Sequence, residues 1–343
     1  MRNHFSLRTY CKLLGLTVLG LASLLIYLNW TQDRRSGPLL SDLRILPIES
    51  QGQAGSAGNL LGIETQLMPA DYQSPERLRL KFATYLDQAR DAGLLNARTV
   101  VVLPEHVGTG LFATGEKPEV QQARTLRDAM QWTALSNPWD YLRALFDNEG
   151  EDRRTEAVMK IKARQMANDY QQIFGGLAEA YGVTLVAGSI VLPEPYLKDG
   201  RLRSSSGPLR QVSLSFTADG SILGPLQYKR ELSRYERRYS EALEQSTASL
   251  LQTPAGRMAV LLGCDGHAHP PPAEAELLVV PGAHDAPEEA CEIDGELPDS
   301  PLERMDVRTL GLPWNLVGSP RRPMRHLHGD PVRLNNLWLQ DRP

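Results

Sequence analysis

Two kinds of hydrophobic pattern divide the chain beyond its N-terminal segment. Residues 75–92 place apolar side chains at helical spacing with a charged opposite face, which predicts an amphipathic helix. Residues 132–180 repeat this spacing with breaks near Pro138 and at 147–152, so we predict further helices there. Residues 52–62 are rich in Gly, Ala and Ser and predict a loop.

Short runs rich in branched apolar residues predict the strands. These runs are residues 44–48, 99–105, 182–191, 212–216, 221–229, 258–263 and 277–281. Helix and strand alternate early in the chain, whereas hairpins occupy its middle, so the predicted fold class is mixed α/β (α+β).

The N-terminal segment has a pattern of its own. Residues 13–30 carry no charge and, as a helix, would span about 27 Å at ~1.5 Å per residue, close to the thickness of a hydrocarbon core. Tyr27 and Trp30 stand at one end of this run, where aromatic rings prefer the headgroup layer. A cleaved signal peptide is the alternative, but no small-x-small cleavage site follows the run.

This segment sets the expected organisation of the chain. We expect a cytoplasmic tail (1–12), a transmembrane anchor (13–30), a tether (31–43) and one domain (44–343). The expected protein is a single-pass membrane protein whose domain lies on the periplasmic or another extracytoplasmic side.

Composition narrows the class of function. The 343 residues are 41% hydrophobic, enough for one large core or two small ones. The 37 basic and 41 acidic residues form no basic stripe interleaved with aromatics, so we expect no nucleic-acid partner. The three cysteines are Cys11, Cys264 and Cys291, and only Cys264–Cys291 could form a disulfide within the soluble domain. So few cysteines make no disulfide framework, and they favour a chemical role for one of them over a structural one.

Three predicted strands each end near a reactive side chain: Glu105, Lys229 and Cys264. A thiol is mostly protonated near neutral pH, so it needs a base to take its proton or a cation to favour the thiolate. Glu105 can do the first and Lys229 the second, and Lys229 can also stabilise the oxyanion formed when a carbonyl is attacked. The backbone N–H of Asp265 is a candidate second oxyanion donor.

Each residue also has an ordinary interpretation. Glu105 could be a surface carboxylate, Lys229 a solvated side chain of a charged stretch, and Cys264 a small buried hydrophobe. The order and context of all three together favour a nucleophilic site.

In the order of Glu105, Lys229 and Cys264, and in the residues around each of them, the chain resembles the nitrilase, or carbon–nitrogen hydrolase, superfamily. The resemblance covers roughly residues 44–282. Its segments are Val101-Val102-Leu103-Pro104-Glu105 with Gly108 and Gly110, Gly182 to Ser189, Phe216 to Gly220, Tyr228-Lys229-Arg230-Glu231-Leu232, Cys264-Asp265, and Ala275 to Pro281.

The resemblance implies a fold and a site. The fold is an αββα four-layer sandwich, here preceded by one transmembrane helix and often dimerised through its helices. Glu105 would be the general base, Lys229 the oxyanion stabiliser and Cys264 the nucleophile, with Glu236 and Asp265 as supporting residues. The implied partner is a small-molecule amide or acyl substrate, with a homodimer possible and no cofactor or metal expected.

The chain departs from the family pattern in three places. After the cysteine the family often has a bulky residue, an Asp and later a Pro-Glu, whereas residues 265–272 here are Asp-Gly-His-Ala-His-Pro-Pro-Pro. Gln211 stands where the family commonly has Asn. Residues 283–343 are divergent: we predict no closing Asn-containing strand there, and residues 312–317 are its nearest equivalent.

The expected function is hydrolysis of a non-peptide amide-type C–N bond through a cysteine thioester. The alternatives are an N-acyltransferase that uses the same site, and a catalytically inactive binding domain. A third possibility is a zinc site built from Cys264, His267, His269 and His284, whose spacing is compatible with metal ligands.

Overall fold

A computed structural model of the chain describes residues 7–34, 47–146, 152–243, 247–283, 290–291, 302–323 and 332–340. Its α-helices are α1 (Leu7–Gln32), α2 (Pro75–Asp91), α3 (Pro118–Gln122), α4 (Leu126–Ser136), α5 (Pro138–Phe146), α6 (Arg153–Tyr181) and α7 (Asp265–Ala268). The predicted helix over 75–92 is confirmed as α2, which Ser74 caps by accepting a hydrogen bond from the Arg77 N–H. The predicted break at Pro138 is confirmed as the boundary between α4 and α5.

The strands of the described residues include several that lie outside the predicted apolar runs. They are β1 (Glu49–Gln51), β2 (Asn59–Thr65), β3 (Thr99–Val102), β4 (Thr184–Val186), β5 (Ile190–Pro193), β6 (Tyr196–Lys198), β7 (Arg201–Arg203), β8 (Leu209–Ser213), β9 (Ser215–Phe216), β10 (Gln227–Tyr228), β11 (Leu250–Thr253), β12 (Gly256–Val260), β13 (Leu277–Gly282), β14 (Glu303–Arg308) and β15 (Val332–Trp338).

The strands form two principal sheets. The larger has the order β1-β15-β2-β3-β4-β9, and the smaller has the order β11-β12-β13-β14. A three-stranded sheet, β10-β8-β5, and the hairpin β6-β7 complete the described strands.

Alternation along the strands explains how the sheets pack. In β3, Val100 and Val102 join Met258 and Val279 of the smaller sheet in one buried cluster. Val101, which points to the other face of β3, joins a separate and larger core that contains residues of α2 and α6. The two sheets therefore face each other, and the long helices cover the outer face of the larger sheet.

The predicted α/β sandwich is thus confirmed. On the outer face of the smaller sheet, the described residues include the short helix α7, whose Gly266 lies against Val280.

Four expectations need correction. The predicted loop at 52–62 ends early, because the buried Asn59, Leu60 and Leu61 begin β2. The predicted strand at 182–191 is two strands in different sheets, separated by a turn at Gly188. A closing strand does exist, since β15 contains Asn335 and Asn336 and pairs antiparallel with β2. Residues 312–317 instead contain a 3-10 turn, Pro313–Asn315.

The N-terminal helix α1 contains a stretch, Tyr10–Gln32, that is long and apolar enough to cross a membrane. A signal sequence would meet the same criteria of length and composition. The predicted tether falls mainly in residues 35–46, outside the described residues, and so does the start of the strand predicted at 44–48.

Candidate active site

Glu105, Lys229 and Cys264 each follow the end of a strand, and backbone hydrogen bonds hold two of these strand ends together. Glu105 follows β3, Lys229 follows β10, and Cys264 follows β12 and begins α7. At the end of β13, the Gly282 carbonyl accepts a hydrogen bond from the Glu105 N–H (3.2 Å), and the Pro281 carbonyl accepts one from the Gly263 N–H (2.7 Å). The segments that carry the carboxylate and the thiol are therefore held to the same strand.

The Lys229 ammonium lies between two carboxylates. Its Nζ is 2.8 Å from Glu105 Oε1 and 2.9 Å from Glu236 Oε1, and all three side chains are fully buried. An ammonium has three N–H donors, so two are used here and one remains for another acceptor. The structure thus brings the supporting candidate Glu236 into direct contact with Lys229.

Glu105 carries one engaged and one unengaged oxygen. Oε1 also accepts a hydrogen bond from Gln211 Nε2 at 2.8 Å. Oε2 is buried and has no hydrogen-bond partner among the described residues. It lies against Gly263, the residue before Cys264, where a Cβ would overlap the carboxylate and where φ is +46°. The unengaged oxygen is therefore next to the backbone that carries the thiol.

Burial and neighbouring charges shift the pKa values of the two glutamates, Glu105 and Glu236, in opposite directions. Burial raises the pKa of Glu105 from 4.5 to about 7, although the Lys229 ammonium opposes the rise. Burial also disfavours the charge on Glu236, but Lys229 and the hydrogen bond from His106 outweigh it and hold that pKa well below its ordinary value. Burial would lower the pKa of Lys229, but the two carboxylates raise it above its ordinary value. One carboxyl is thus poised to gain and lose a proton near neutral pH while the other stays charged.

His106 belongs to the site although the sequence pattern gave no sign of it. Its ring Nε2 is 2.7 Å from Glu236 Oε1, and its Nδ1 is 3.1 Å from Thr109 Oγ1. Because an ionised carboxylate only accepts, His106 Nε2 is the donor to Glu236. His106 adopts φ +61°, a left-handed conformation uncommon outside glycine, and its N–H donates to Ser189 Oγ at 2.8 Å.

A turn at Gly188 brings Ser189 to this position. Gly188 has φ +66°, and a Cβ there would collide with the Pro104 carbonyl. Ser189 Oγ also accepts from Gln211 Nε2 at 2.9 Å, so one hydroxyl joins the backbone of His106 to the side chain that holds Glu105. The Gly-Ser pair of the motif at 182–189 therefore serves the carboxylate directly.

Asp265 positions the segment after Lys229 through its carboxylate, whereas from the sequence we expected its backbone N–H to be an oxyanion donor. Its buried carboxylate accepts hydrogen bonds from the backbone N–H groups of Arg230 (3.1 Å) and Glu231 (2.6 Å), which fixes the segment after Lys229. Burial raises the pKa of Asp265. Its own N–H donates to the Leu262 carbonyl at 2.9 Å, so the proposed second oxyanion donor is already engaged in a turn.

Cys264 is not a free thiol in this structure. It is fully buried and forms a disulfide with Cys291, which is 7% exposed. The expected nucleophile is therefore present at the expected strand end but is covalently capped. The sequence allowed this pairing without indicating it, because the 27 residues that separate the two cysteines do not reveal their distance in space.

Two of the four candidate zinc ligands already have other partners. The Cys264 sulfur is bonded to Cys291, and His269 Nε2 is 3.1 Å from Glu231 Oε1. His284 lies outside the described residues. Within the described ranges, no group of three or more His, Cys, Asp and Glu side chains is placed to hold a metal ion.

The chain is similar to known proteins at the level of solved structures. No protein-family model matches the chain, and no curated protein matches it. Among solved structures, it is similar to a cysteine-to-serine mutant of the Nesterenkonia AN1 amidase from the nitrilase superfamily. That similarity has a TM-score of 0.47 and 14% identity, and covers 84% of this chain and 94% of the other.

Two further solved structures are similar at the same level. A carbon–nitrogen hydrolase from Helicobacter pylori G27 has a TM-score of 0.47 and 14% identity, with 82% of this chain and 89% of the other covered. Another mutant of the Nesterenkonia amidase shows covalent addition of the acetamide moiety of fluoroacetamide at its active-site cysteine. Its TM-score is 0.43 and its identity 11%, with 76% of this chain and 80% of the other covered.

Proposed function

We propose that the chain is a membrane-anchored carbon–nitrogen hydrolase of the nitrilase superfamily, which cleaves a non-peptide amide bond through a Cys264 thioester. The observation that carries this proposal is the buried Glu105–Lys229–Glu236 cluster, whose unengaged Glu105 oxygen lies against the residue before Cys264. Neither a surface carboxylate nor a solvated lysine would account for that arrangement.

The first step is release of the thiol. A dithiol reductant attacks Cys291, the more exposed sulfur, forming a mixed disulfide and freeing Cys264. Its second thiol then displaces Cys291. Two electrons and two protons pass to the cysteines, and the dithiol becomes a disulfide.

Acylation follows from the geometry of the carboxylate and the ammonium. Cys264 Sγ bonds to the amide carbon while its proton passes to Glu105, whose pKa of about 7 suits both accepting and returning a proton. The third N–H of Lys229 donates to the developing oxyanion. When the C–N bond breaks, Glu105 returns the proton to the departing nitrogen, which leaves as an amine or ammonia.

Deacylation uses the same groups. Glu105 takes a proton from water, the resulting hydroxide attacks the thioester, and the acid leaves as Cys264 regains its proton. Transfer to an amine in place of water gives the N-acyltransferase variant, in which product formation depends on added amine.

The disulfide also supports the location that we propose for the domain. Disulfides persist in oxidising compartments such as the periplasm and are rare in the cytosol. With α1 as an anchor, the Cys264–Cys291 bond favours an extracytoplasmic domain.

The same disulfide favours a second candidate function, a binding domain without catalysis. If the bond is permanent, the buried charges would only maintain a fold whose surface binds a partner.

The test measures ammonia or amine release by the full-length protein from a panel of small aliphatic amides, with and without a phosphine reductant. We expect release only after reduction, loss of release in Cys264→Ala, and release without reductant in Cys291→Ser. Release that persists in Cys264→Ala would overturn the mechanism. Absence of any acyl adduct on the reduced Cys264 would favour the binding domain.

A further inference from the structure

The helix α5 exposes large apolar side chains on one face. Trp139, Leu142 and Phe146 are 71%, 46% and 83% exposed. At ~100° per residue these three positions fall within an arc of about 60°. On the other side of the helix, Tyr141 and Leu145 are partly buried where α5 packs against α6.

The neighbouring helix α4 continues this surface. Trp132 and Leu135, one turn apart near its end, are 37% and 41% exposed. We call these five side chains the α4–α5 apolar face. Among the described residues outside α1, seven large hydrophobic side chains are exposed, and five of them belong to this face. Single exposed apolar residues such as Leu80 are ordinary, but a cluster on two consecutive helices indicates an interaction surface.

The C-terminal end of α1 is attached beside this face. Tyr27 Oη donates a hydrogen bond to the Leu135 carbonyl at 2.8 Å, and the Trp30 and Trp132 rings lie 6.3 Å apart. Lys117 reinforces the junction, because its Nζ lies 4.1 Å from the centre of the Trp30 ring and donates to the Asp33 carbonyl at 2.7 Å. An ion pair between Arg34 and Glu116 adds a further contact.

These contacts set the height of the apolar face relative to a bilayer. Tyr27 and Trp30 close the apolar stretch of α1, so a membrane crossed by α1 places them at its surface, where Trp and Tyr rings accumulate. Trp132 and Leu135 touch them and so lie at the same level. α5 begins after a single residue, Asn137, so Trp139, its first exposed apolar residue, follows Leu135 by only four positions along the chain.

We propose that the α4–α5 apolar face lies in the headgroup–acyl boundary of the membrane that α1 crosses. The occupant of the surface is therefore lipid, and the domain rests on the bilayer through two elements: one that spans it and one that lies along it. This inference depends on the proposed anchoring and not on the proposed catalysis.

The test is depth measurement by nitroxide labels in the full-length protein reconstituted into phosphatidylcholine vesicles. Cys11→Ser removes the free thiol, and the disulfide leaves Cys264 and Cys291 unlabelled. Labels at Trp139→Cys and Phe146→Cys report the face. Asp140→Cys, on another side of α5, and Leu80→Cys, an exposed leucine on α2, are the matched controls. Leu21→Cys reports α1.

Collision with oxygen, which concentrates in lipid, is compared with collision with a water-soluble nickel chelate. We expect labels at 139 and 146 to be accessible to oxygen and protected from nickel, at a depth of about 5–10 Å. The labels at 140 and 80 should remain accessible to nickel. No activity is measured, so failure here is distinct from failure of the proposed chemistry.

Three outcomes would overturn the proposal. Nickel access at 139 and 146 equal to that at 80 would place the face in water. Protection from both nickel and oxygen would place it against protein, such as a second copy of this chain. Nickel access at 21 would show that α1 is not inserted, and the proposal would fail with it.

Discussion

Among the described residues, the Lys81–Asp71 pair and the cluster around Lys229 both bury a lysine against carboxylate, and the two differ in composition. Lys81 Nζ lies 2.7 Å from Asp71 Oδ2, and both side chains are almost fully buried. The same Asp71 oxygen accepts the Met68 N–H at 2.8 Å, so this pair joins the start of a 3-10 turn to α2, only ten residues away. Both partners of this pair therefore belong to one local structure.

The cluster around Lys229 is built differently. It joins segments up to 130 residues apart, holds two carboxylates against one ammonium, and leaves Glu105 Oε2 without a partner. Burial of an ion pair is therefore not by itself a sign of function, since Asp71–Lys81 has it too. The second carboxylate and the unengaged oxygen distinguish the site. Glu105 has a pKa near neutrality there chiefly because it is fully buried, with a smaller contribution from the nearby Glu236.

The largest expected contrast is between Glu105→Gln and Asp71→Asn in acylation by an amide. Gln cannot take the thiol proton or return it to nitrogen, so we expect acylation to slow by about 10²–10⁴-fold. Asp71→Asn should leave acylation unchanged in protein that stays folded. The measurement is the acylation rate of the reduced protein with an amide, p-nitroacetanilide, and with an ester, p-nitrophenyl acetate. The two substrates share an acyl group.

The ester serves as the internal control for that contrast. Its nitrophenolate leaves without a proton, so Glu105→Gln should slow the ester less than the amide, because with the ester only the acceptance of the thiol proton is lost. Equal losses with both substrates would contradict the role of Glu105 as proton donor to the departing nitrogen.

The next contrast is between Lys229→Met and Lys81→Met. Both remove one partner of a buried ion pair, so each should lower the free energy of unfolding by about 3–5 kcal/mol, measured by urea denaturation. Only Lys229→Met should also slow iodoacetamide labelling of reduced Cys264 at pH 7, since it removes the cation that favours the thiolate. Slower labelling in both variants would indicate a general loss of structure.

A smaller effect is expected from Gly263→Ala, with Gly93→Ala as its match. Both glycines have positive φ, +46° and +72°, so each substitution should cost about 1–3 kcal/mol of unfolding free energy. Only at Gly263 would the added methyl group displace the Glu105 carboxylate, because a Cβ at Gly93 has nothing within 4 Å. Equal acylation rates in the two variants would separate Glu105 from the chemistry.

The pH dependence should leave the rate nearly unchanged above neutrality and lower it only in acid. Glu105 accepts a proton only when ionised, and its pKa is raised to about 7. Acylation by the amide should therefore fall as pH drops below about 7, by about tenfold per unit once the carboxyl is mostly protonated. A profile that stays flat down to pH 5 would mean that the base is a carboxyl with an ordinary pKa.

The local structure could be predicted from the sequence. The apolar runs before Glu105, Lys229 and Cys264 specify strands, and a residue that follows a strand lies at a sheet end whatever the rest of the fold does. Helical spacing likewise located α2 and α6. Glu236 was nominated from the family resemblance, as the best-placed glutamate shortly after Lys229, although its offset is not quite the usual one.

What the sequence could not predict depends on long-range contacts. His106 meets Glu236 across 130 residues, and no periodic pattern encodes that distance. β15 was missed because its alternation of apolar and polar residues breaks at Asn336, a polar residue that is buried, and pairing with β2 decides its structure. The Cys264–Cys291 bond depends on a chain path that spacing alone does not give.

We expect Cys264, once released from Cys291, to be a thiol that the Lys229 cluster activates. The most direct measurement is the rate of iodoacetamide labelling of Cys264 across pH 5–9 in the full-length Cys11→Ser protein, mapped by mass spectrometry before and after reduction. We expect no labelling before reduction, then rapid labelling at pH 7, with an inflection of the labelling rate well below the ordinary thiol pKa of about 8.5. Labelling that rises only near pH 8.5, and is unchanged in Lys229→Met, would contradict this expectation.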